Sequence, residues 1–196
     1  MFEFIRGRIS QITPTFVVID TGNIGYYINI TLNTFSSIQS NGSSDDIKIY
    51  IHQVIREDAQ LLFGFFEDSE RQLFRQLITV SGIGPSTARM MLSSMNPDEL
   101  TIAISNGDVD VLKTVKGIGL KTAQRIIVEL KDKLGTSPAQ KELFAPSHNT
   151  IRDEALSALV MLGFSKKAVE TVLNKELKNR TFANVEDLIK VSLKQL

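Results

Sequence analysis

The sequence predicts a multi-domain α+β protein: an N-terminal OB-fold β-barrel, a central all-α domain with a tandem helix-hairpin-helix, and a small C-terminal three-helix bundle. Three observations indicate this fold. Short β-branched runs between turn residues fill the first third of the chain, which is typical of a compact barrel. A glycine-containing segment then repeats within a helical pattern. Helical spacing returns near the C-terminus, after a polar segment that contains prolines.

Residues 1–66 are predicted to form the barrel. Strand-like runs are present in this region at four places: 16–19, 25–30, 47–52 and 61–66. Turn residues separate the first two runs at 20–23, and a polar loop is expected at 40–46. Five or six short strands in so small a unit favour a compact five-stranded barrel of the OB type.

Residues 67–136 and 150–196 are predicted to be helical, with a flexible linker at 137–149. Apolar residues such as Leu73 and Leu77 recur at helical spacing, and no strand-like alternation returns. Asn96, followed by proline and two acids, predicts a helix start. The linker contains two prolines and few apolar residues, and three short helices are expected after it.

Composition excludes several classes of protein. The chain has 196 residues, 42% hydrophobic and 22% charged, which is ordinary globular composition. It has no cysteine, hence no thiol nucleophile and no Cys-ligated zinc, and its two histidines, His52 and His148, lie far apart. No apolar run reaches the about 20 residues that span a bilayer, and the N-terminus lacks a signal-peptide pattern. We expect a cytoplasmic protein with no cofactor, in which a His-rich metal site or a Ser-His-Asp triad is disfavoured.

Charge is balanced, with 22 Lys and Arg against 22 Asp and Glu. A generally basic surface is therefore excluded. Any binding to nucleic acid must come from a few well-placed groups.

The repeated segment is the main functional signal. Residues 79–92 match residues 114–127 at an offset of 35, with seven of fourteen positions identical. Each copy has a Gly-Ile-Gly turn between two helical stretches, which is the pattern of a helix-hairpin-helix. The glycines allow a sharp turn, the isoleucine anchors it in the core, and the next helix presents free N–H groups that favour a phosphate. Two copies predict binding to the two phosphate backbones of a DNA duplex, without recognition of its sequence.

Two other interpretations of the turns compete with DNA binding. A Gly-x-Gly turn can be no more than a tight helix–helix corner, although the matching repeat favours DNA binding. The second copy also resembles a P-loop superficially, but Leu120 separates Gly119 from Lys121 and no strand precedes it, so a nucleotide site is disfavoured.

Arg56, Glu57 and Asp58 form a charged turn between two predicted strands. Two acids at such a place are usually a solvated turn. Beside a DNA-binding unit they are unusual, because carboxylates repel phosphates. They could also hold a metal for phosphodiester cleavage, which normally needs a third acid. The residues alone leave these alternatives open.

With these motifs in place, the sequence resembles the RuvA family, the Holliday-junction-binding subunits of the bacterial branch-migration complex. The resemblance is closest over 54–132, including the charged turn, both Gly-Ile-Gly turns and 121–132. Gly25-Tyr26 and 159–164 also fit, and the domain order agrees over nearly the whole chain. Ser86 and Leu120 depart from the family, which often has basic residues there, so phosphate contacts are expected to depend more on backbone N–H groups, Lys121 and Arg125.

The resemblance implies a non-enzymatic subunit that binds four-way DNA junctions by shape, holds them open and flat, and recruits the hexameric RuvB ATPase motor for branch migration in recombination and repair. It implies a homotetramer or octamer, no membrane, and the RuvC resolvase as a further partner. Glu57 and Asp58 match the acidic pin. The DNA contacts it implies, together with those of the turns, are Arg56, Gly82, Ile83, Gly84, Ser86, Gly117, Ile118, Gly119, Lys121, Thr122 and Arg125. The implied RuvB contacts are Leu159, Leu162, Phe164 and Leu193.

Two competing hypotheses come from other classes of protein. A nuclease using Glu57, Asp58 and a divalent metal predicts cleavage that is lost in Glu57→Ala. A structural adaptor, in which the glycine turns serve packing only, predicts no affinity for DNA.

Overall fold

The computed structural model describes residues 2–41, 46–134, 151–180, 182 and 184–196. The chain divides into two compact units, Met1–Gly135 and Thr136–Leu196. The predicted linker and His148 lie outside the described residues, as does most of the predicted loop at 40–46. The predicted boundary at residue 66 stays a prediction, because the barrel and the first helices belong to one unit.

The first unit begins with a closed five-stranded barrel, which confirms the predicted OB-type fold. Its strands are β1 (Phe4–Ile12), β2 (Phe16–Asp20), β3 (Gly25–Ile30), β4 (Ile47–Ile55) and β5 (Gln60–Phe65). Around the barrel their order is β1-β2-β3-β5-β4, and β4 closes it by pairing with β1. β3 and β5 pair in parallel, and the other neighbours are antiparallel.

Alternating apolar residues fill the barrel interior. Ile47, Ile49 and Ile51 of β4 are buried, as the strict alternation of this run predicts. Gly64 of β5 faces them at a point where the barrel has no room for a side chain, since an added Cβ would lie 2.6 Å from Cγ2 of Ile49. The barrel core is therefore closed and contains no channel for a ligand at this level.

Helix α1 (Leu32–Asn41) covers the barrel between β3 and β4, and the prediction of strands alone for this region was wrong. The segment is rich in Ser, Thr and Asn, which compete with the helical backbone and give a weak sequence signal. Tertiary contacts supply the missing stability. Thr31 Oγ1 accepts a hydrogen bond from Thr34 N at 2.9 Å, and Ile38 is buried in the barrel core.

Helices follow the barrel in the first unit, as predicted. They are α2 (Asp68–Leu77), α3 (Pro85–Ser94), α4 (Pro97–Asn106), α5 (Val109–Lys113) and α6 (Leu120–Leu134). Asn96 starts α4 with a reciprocal capping box, in which its Oδ1 accepts from Glu99 N at 2.8 Å and its own N–H donates to Glu99 Oε2 at 3.0 Å. The predicted helix start at Asn96 is confirmed.

Barrel and helices share an aromatic core. The Phe74 ring of α2 lies 5.3 Å from the Phe63 ring and 4.9 Å from the Phe65 ring of β5, measured between centroids, and all three are buried. His52 contacts the same ring edge-on. Burial, with the nearby Arg75 and Arg71, lowers the pKa of His52 and favours its neutral form.

A buried polar network joins the same two parts. The carboxylate of Glu70 in α2 accepts hydrogen bonds from Thr31 Oγ1 at 2.6 Å and Thr34 Oγ1 at 2.7 Å. Burial raises the pKa of the Glu70 carboxyl above its ordinary value. Arg71, also buried, pairs with Glu3 and donates from Nε to Asp68 Oδ1 at 2.7 Å. Side chains of α2 thus fix the helices to the barrel.

The second unit is a three-helix bundle, as predicted. Its helices are α7 (Ile151–Met161), α8 (Lys166–Asn179) and α9 (Val185–Ser192). Ser165 caps α8 and Asn184 caps α9 through their side-chain oxygens. Leucine, valine and alanine side chains from all three helices form its core. None of the helices in the described part of the chain is long and apolar enough to cross a bilayer.

Candidate nucleic-acid interface

The repeat in sequence is a repeat in structure, because the two Gly-Ile-Gly turns make the same hydrogen bonds. Ile83 N donates to Val80 O at 3.0 Å, and Ile118 N donates to Val115 O at 3.0 Å. A threonine before each turn donates its hydroxyl to a carbonyl three residues earlier, at 2.7 Å in both copies. The first turn connects α2 to α3, and the second connects α5 to α6. The protein therefore holds two equivalent turns.

The glycines have two separate roles in these turns. Gly82 and Gly117 both have φ of +92°, in the left-handed region that favours glycine. Gly84 and Gly119 lack that constraint, but an added Cβ at any of the four would meet nothing within 4 Å. The turn surfaces are open, so a large polyanion can reach the backbone there.

The isoleucines anchor the turns and do not face the outside. Ile83 and Ile118 are each only 5% exposed and belong to the core that the helices share with the barrel. Their side chains are not accessible to a phosphate, which agrees with the predicted anchoring role, and their inclusion among the DNA contacts stays a prediction. Their contribution is to hold the neighbouring glycines and amides in place.

Free backbone donors follow each turn. The first N–H groups of a helix have no intrahelical acceptor and carry the positive end of the helix dipole. In α3 the preceding Gly84 provides no side-chain cap, and the first bond back to Gly84 O comes from Ala88 N, at 2.9 Å. Ala123 N makes the equivalent bond to Gly119 O at 2.9 Å in α6. The amides between them, including those of Ser86 and Thr122, are the donors that an anion would meet.

Charge differs between the two turns. In the first copy, Ser81 directly precedes the Gly-Ile-Gly turn and Ser86 is the second residue after it. The corresponding residues of the second copy are the cations Lys116 and Lys121. All four are exposed. The predicted contact Lys121 is therefore available, and Lys116 is a cation that sequence reasoning missed. The alignment of the two copies pairs Ser81 with Lys116, but no role follows from that pairing until the structure shows that Lys116 is exposed beside the turn.

Arg125 connects the two turns. Its Nη1, on α6, donates to the carbonyl oxygen of Ser81 in the first turn at 3.0 Å. Sequence reasoning assigned Arg125 to a phosphate. The structure shows that part of its guanidinium already has a protein acceptor, which gives it a role in fixing one turn relative to the other.

Arg89 connects the first hairpin to the barrel and was also missed. Its Nη1, on α3, donates to Thr15 O at 3.2 Å and to Asn29 Oδ1 at 3.0 Å. A single arginine in a helix carries no sequence signal of such a contact, because its acceptors are 60 and 74 residues away.

The charged turn lies at the tip of the β4–β5 hairpin. Arg56 N donates to Ala59 O at 2.8 Å, which closes a tight turn with Glu57 and Asp58 at its end. Arg56 and both acids are exposed. Among the described residues, no group of three or more His, Asp or Glu side chains is placed to hold a metal ion, so the third acid that the nuclease hypothesis requires is not found in this part of the chain. Within the same residues, no hydrogen bond or ion pair joins this tip to either Gly-Ile-Gly turn.

Family models match three consecutive parts of the chain: the RuvA N terminal domain over 1–64, a SAM-like helix-hairpin-helix tandem over 74–132, and the RuvA C-terminal domain over 150–196. The chain belongs to the RuvA family. Proteins named Holliday junction branch migration complex subunit RuvA are similar to this chain, and each alignment covers the full length of both proteins. Those of Christiangramia forsetii, Bacteroides fragilis and Porphyromonas gingivalis are 47%, 46% and 45% identical, with 100% of each chain covered.

The RuvA C-terminal domain model covers the bundle in which partner contacts were predicted, and the structure separates those residues by exposure. Leu162 is 62% exposed and Leu193 41% exposed, whereas Phe164 packs partly buried against the bundle core. Leu159 is fully buried, which corrects its prediction as a contact, because a partner cannot reach it without opening the bundle. Its role is packing. The exposed Leu162 and Leu193 stay candidates.

Proposed function

We propose that this RuvA-family protein is a non-enzymatic subunit that binds four-way DNA junctions by their structure and recruits a RuvB ATPase motor for branch migration in recombination and repair. The observation that carries the proposal is the pair of equivalent Gly-Ile-Gly turns with open surfaces. Such turns bind phosphates through backbone donors and carry no base-specific groups. Recognition then depends on where the two backbones lie, which is a property of DNA shape.

In this proposal the contacts to phosphate come from the amides of both turns, helped by Lys121 and Lys116, with Thr122 and Ser86 as neutral donors. Arg56 contacts DNA near the acidic tip. Glu57 and Asp58 repel phosphates and keep strands apart where they cross. Their exposure on a tight hairpin tip supports this role.

The proposed function also requires several copies of the chain and a contact with RuvB. Four copies, or two sets of four, hold the junction open and flat. The C-terminal bundle contacts RuvB through Leu162, Leu193 and the exposed part of the Phe164 side chain. The names of the similar proteins, which are subunits of a branch migration complex, support a multi-protein function. RuvC is a further partner in the same proposal, and the cytoplasm is its place of action.

The test is a gel-shift titration of a synthetic four-way junction against linear duplex of the same sequences, with magnesium and without ATP. We expect far tighter binding to the junction, which stays uncut. Lys121→Ala is the matched variant and is expected to weaken both complexes. Equal binding to junction and duplex would contradict recognition by shape, cut junction would indicate a nuclease, and no shift at low salt would contradict DNA binding altogether.

A further inference from the structure

A pair of stacked aromatic rings lies on the outer face of the barrel. The rings of Phe16 in β2 and Tyr27 in β3 have centroids 4.5 Å apart and planes inclined by 25°. Phe16 is half-buried, whereas Tyr27 is 55% exposed. The stack therefore ends at an accessible ring on which a further flat group can pack.

A fixed positive charge adjoins this stack. Asn29 pairs with Phe16 across the two strands, and its Oδ1 accepts from Arg89 Nη1 at 3.0 Å. The same Nη1 donates to the carbonyl of Thr15, the residue before Phe16. Both acceptors are uncharged, so the guanidinium keeps its positive charge beside the rings.

A second aromatic surface of the barrel provides a contrast. Phe4 of β1 is 48% exposed, but the Lys48 ammonium lies over its ring, 4.7 Å from the centroid, and over the Tyr50 ring at 4.3 Å. A cation from the protein itself already interacts with those rings. Among the described residues no cation lies over the Tyr27 ring, and Arg89 is bonded to uncharged oxygens, which leaves both ring and charge for a ligand.

We propose that Phe16, Tyr27 and Arg89 form a binding site for an unpaired nucleotide of DNA. The base stacks on Tyr27 and the attached phosphate lies near Arg89. Aromatic rings with an adjacent cation are the usual elements of single-strand binding, and the face of strands β2 and β3 is where OB-folds commonly bind oligonucleotides. The site adjoins the first hairpin, because Arg89 lies in α3, which begins at the turn glycine Gly84. The proposal of this site rests on the proposed DNA binding, and it extends the DNA that the protein binds to single-stranded segments.

The test is fluorescence anisotropy of labelled oligothymidine, about ten nucleotides long, titrated at low salt with the full chain. Tyr27→Ala is expected to weaken binding about tenfold, the effect of losing one stacked base, and Tyr27→Phe to retain it. Phe4→Ala is the matched control, an exposed aromatic lost from the other surface, and is expected to bind like the wild type. Urea unfolding of each variant shows that the fold is kept.

The outcomes separate this site from the proposed junction binding. Equal binding by wild type and Tyr27→Ala, an equal loss in Phe4→Ala, or no binding of oligothymidine by a wild type that shifts a fully paired junction would each overturn the site. Binding of oligothymidine that depends on Tyr27, in a protein that does not prefer the junction, would support the site and contradict the proposed function.

Discussion

The left-handed glycines and the open glycines of the turns can be distinguished by single substitutions. Gly117→Ala puts a Cβ on a residue with φ of +92°, and we expect a loss of about 1–2 kcal/mol in the free energy of unfolding. Gly119→Ala is the control, because this residue is outside the left-handed region and has free space for a methyl group. Urea unfolding measures both, and equal losses would contradict the assignment of the strain to residue 117.

Gly119→Ala has its own expected effect on DNA. Its methyl group would stand on the open surface of the second turn, so we expect weaker junction binding at unchanged stability. A gel shift with the stable variant measures this, and wild-type affinity would show that the backbone at Gly119 is not approached closely.

Glu70 is a buried acid whose pKa is raised by burial. The folded state then binds a proton more tightly than the unfolded chain, so this contribution to stability is full below the ordinary glutamate pKa and is lost as pH rises through the folded pKa. We expect the stability of Glu70→Gln, which stays neutral, to depend less on pH than that of the wild type, although its amide keeps an acceptor oxygen for only one of the two threonine hydroxyls. Urea unfolding at pH 5 and pH 8 tests this, and greater pH dependence in the variant would contradict it.

Glu70→Ala is the matched comparison. It leaves the buried hydroxyls of Thr31 and Thr34 without their acceptor, and we expect a loss of about 1–3 kcal/mol. A neutral effect would mean that the network does not stabilise the joint between barrel and helices.

At the scale of elements, helices, strands and turns were predicted correctly where residues close in sequence determine the structure. The alternation of β4, the helix start at Asn96 and the repeated turns depend on neighbours within a few residues, and all were predicted. Helix α1 was missed because its stability comes from Ile38 in the barrel core and from the cap at Thr31. The contacts of Arg89 and Arg125 were missed for the same reason, since their acceptors are remote in sequence.

One arginine contact, from Arg125 to the Ser81 carbonyl, joins the two hairpins in addition to the apolar core that they share. If Arg125 only positions the turns, Arg125→Ala weakens junction binding without changing the slope of log affinity against log salt. Lys121→Ala, at a proposed phosphate contact, is expected to reduce that slope by about one. Titrations at several salt concentrations compare the two variants, and a reduced slope in Arg125→Ala would show that the residue contacts phosphate after all.

At the scale of the whole molecule, the C-terminal bundle is proposed to bind the motor while the first unit binds DNA. Leu162→Glu places a charge on an exposed position, so we expect an intact bundle with reduced stimulation of RuvB ATPase activity. Junction affinity is the control and is expected to stay at the wild-type value, and unchanged stimulation would exclude Leu162 from the contact.

Leu159→Ala should behave differently, because that residue is fully buried. We expect destabilisation of about 2–5 kcal/mol, the usual cost of emptying a core leucine position. Thermal unfolding measures it, and a stable Leu159→Ala with poor RuvB stimulation would restore the original contact assignment.

The shared core of Phe63, Phe65 and Phe74 has a mechanical consequence. Rings from a strand and a helix interlock there, and the buried Glu70 and Arg71 pin the same helix to the barrel on both sides. No hinge residue lies between the parts that this joint connects, since Phe65 and α2 are separated by only Phe66 and Glu67. If the first turn binds DNA as proposed, a force on that DNA would be transmitted to the Glu57–Asp58 tip through this rigid joint. Work done by a motor on the DNA would go into moving the strands rather than into bending this protein.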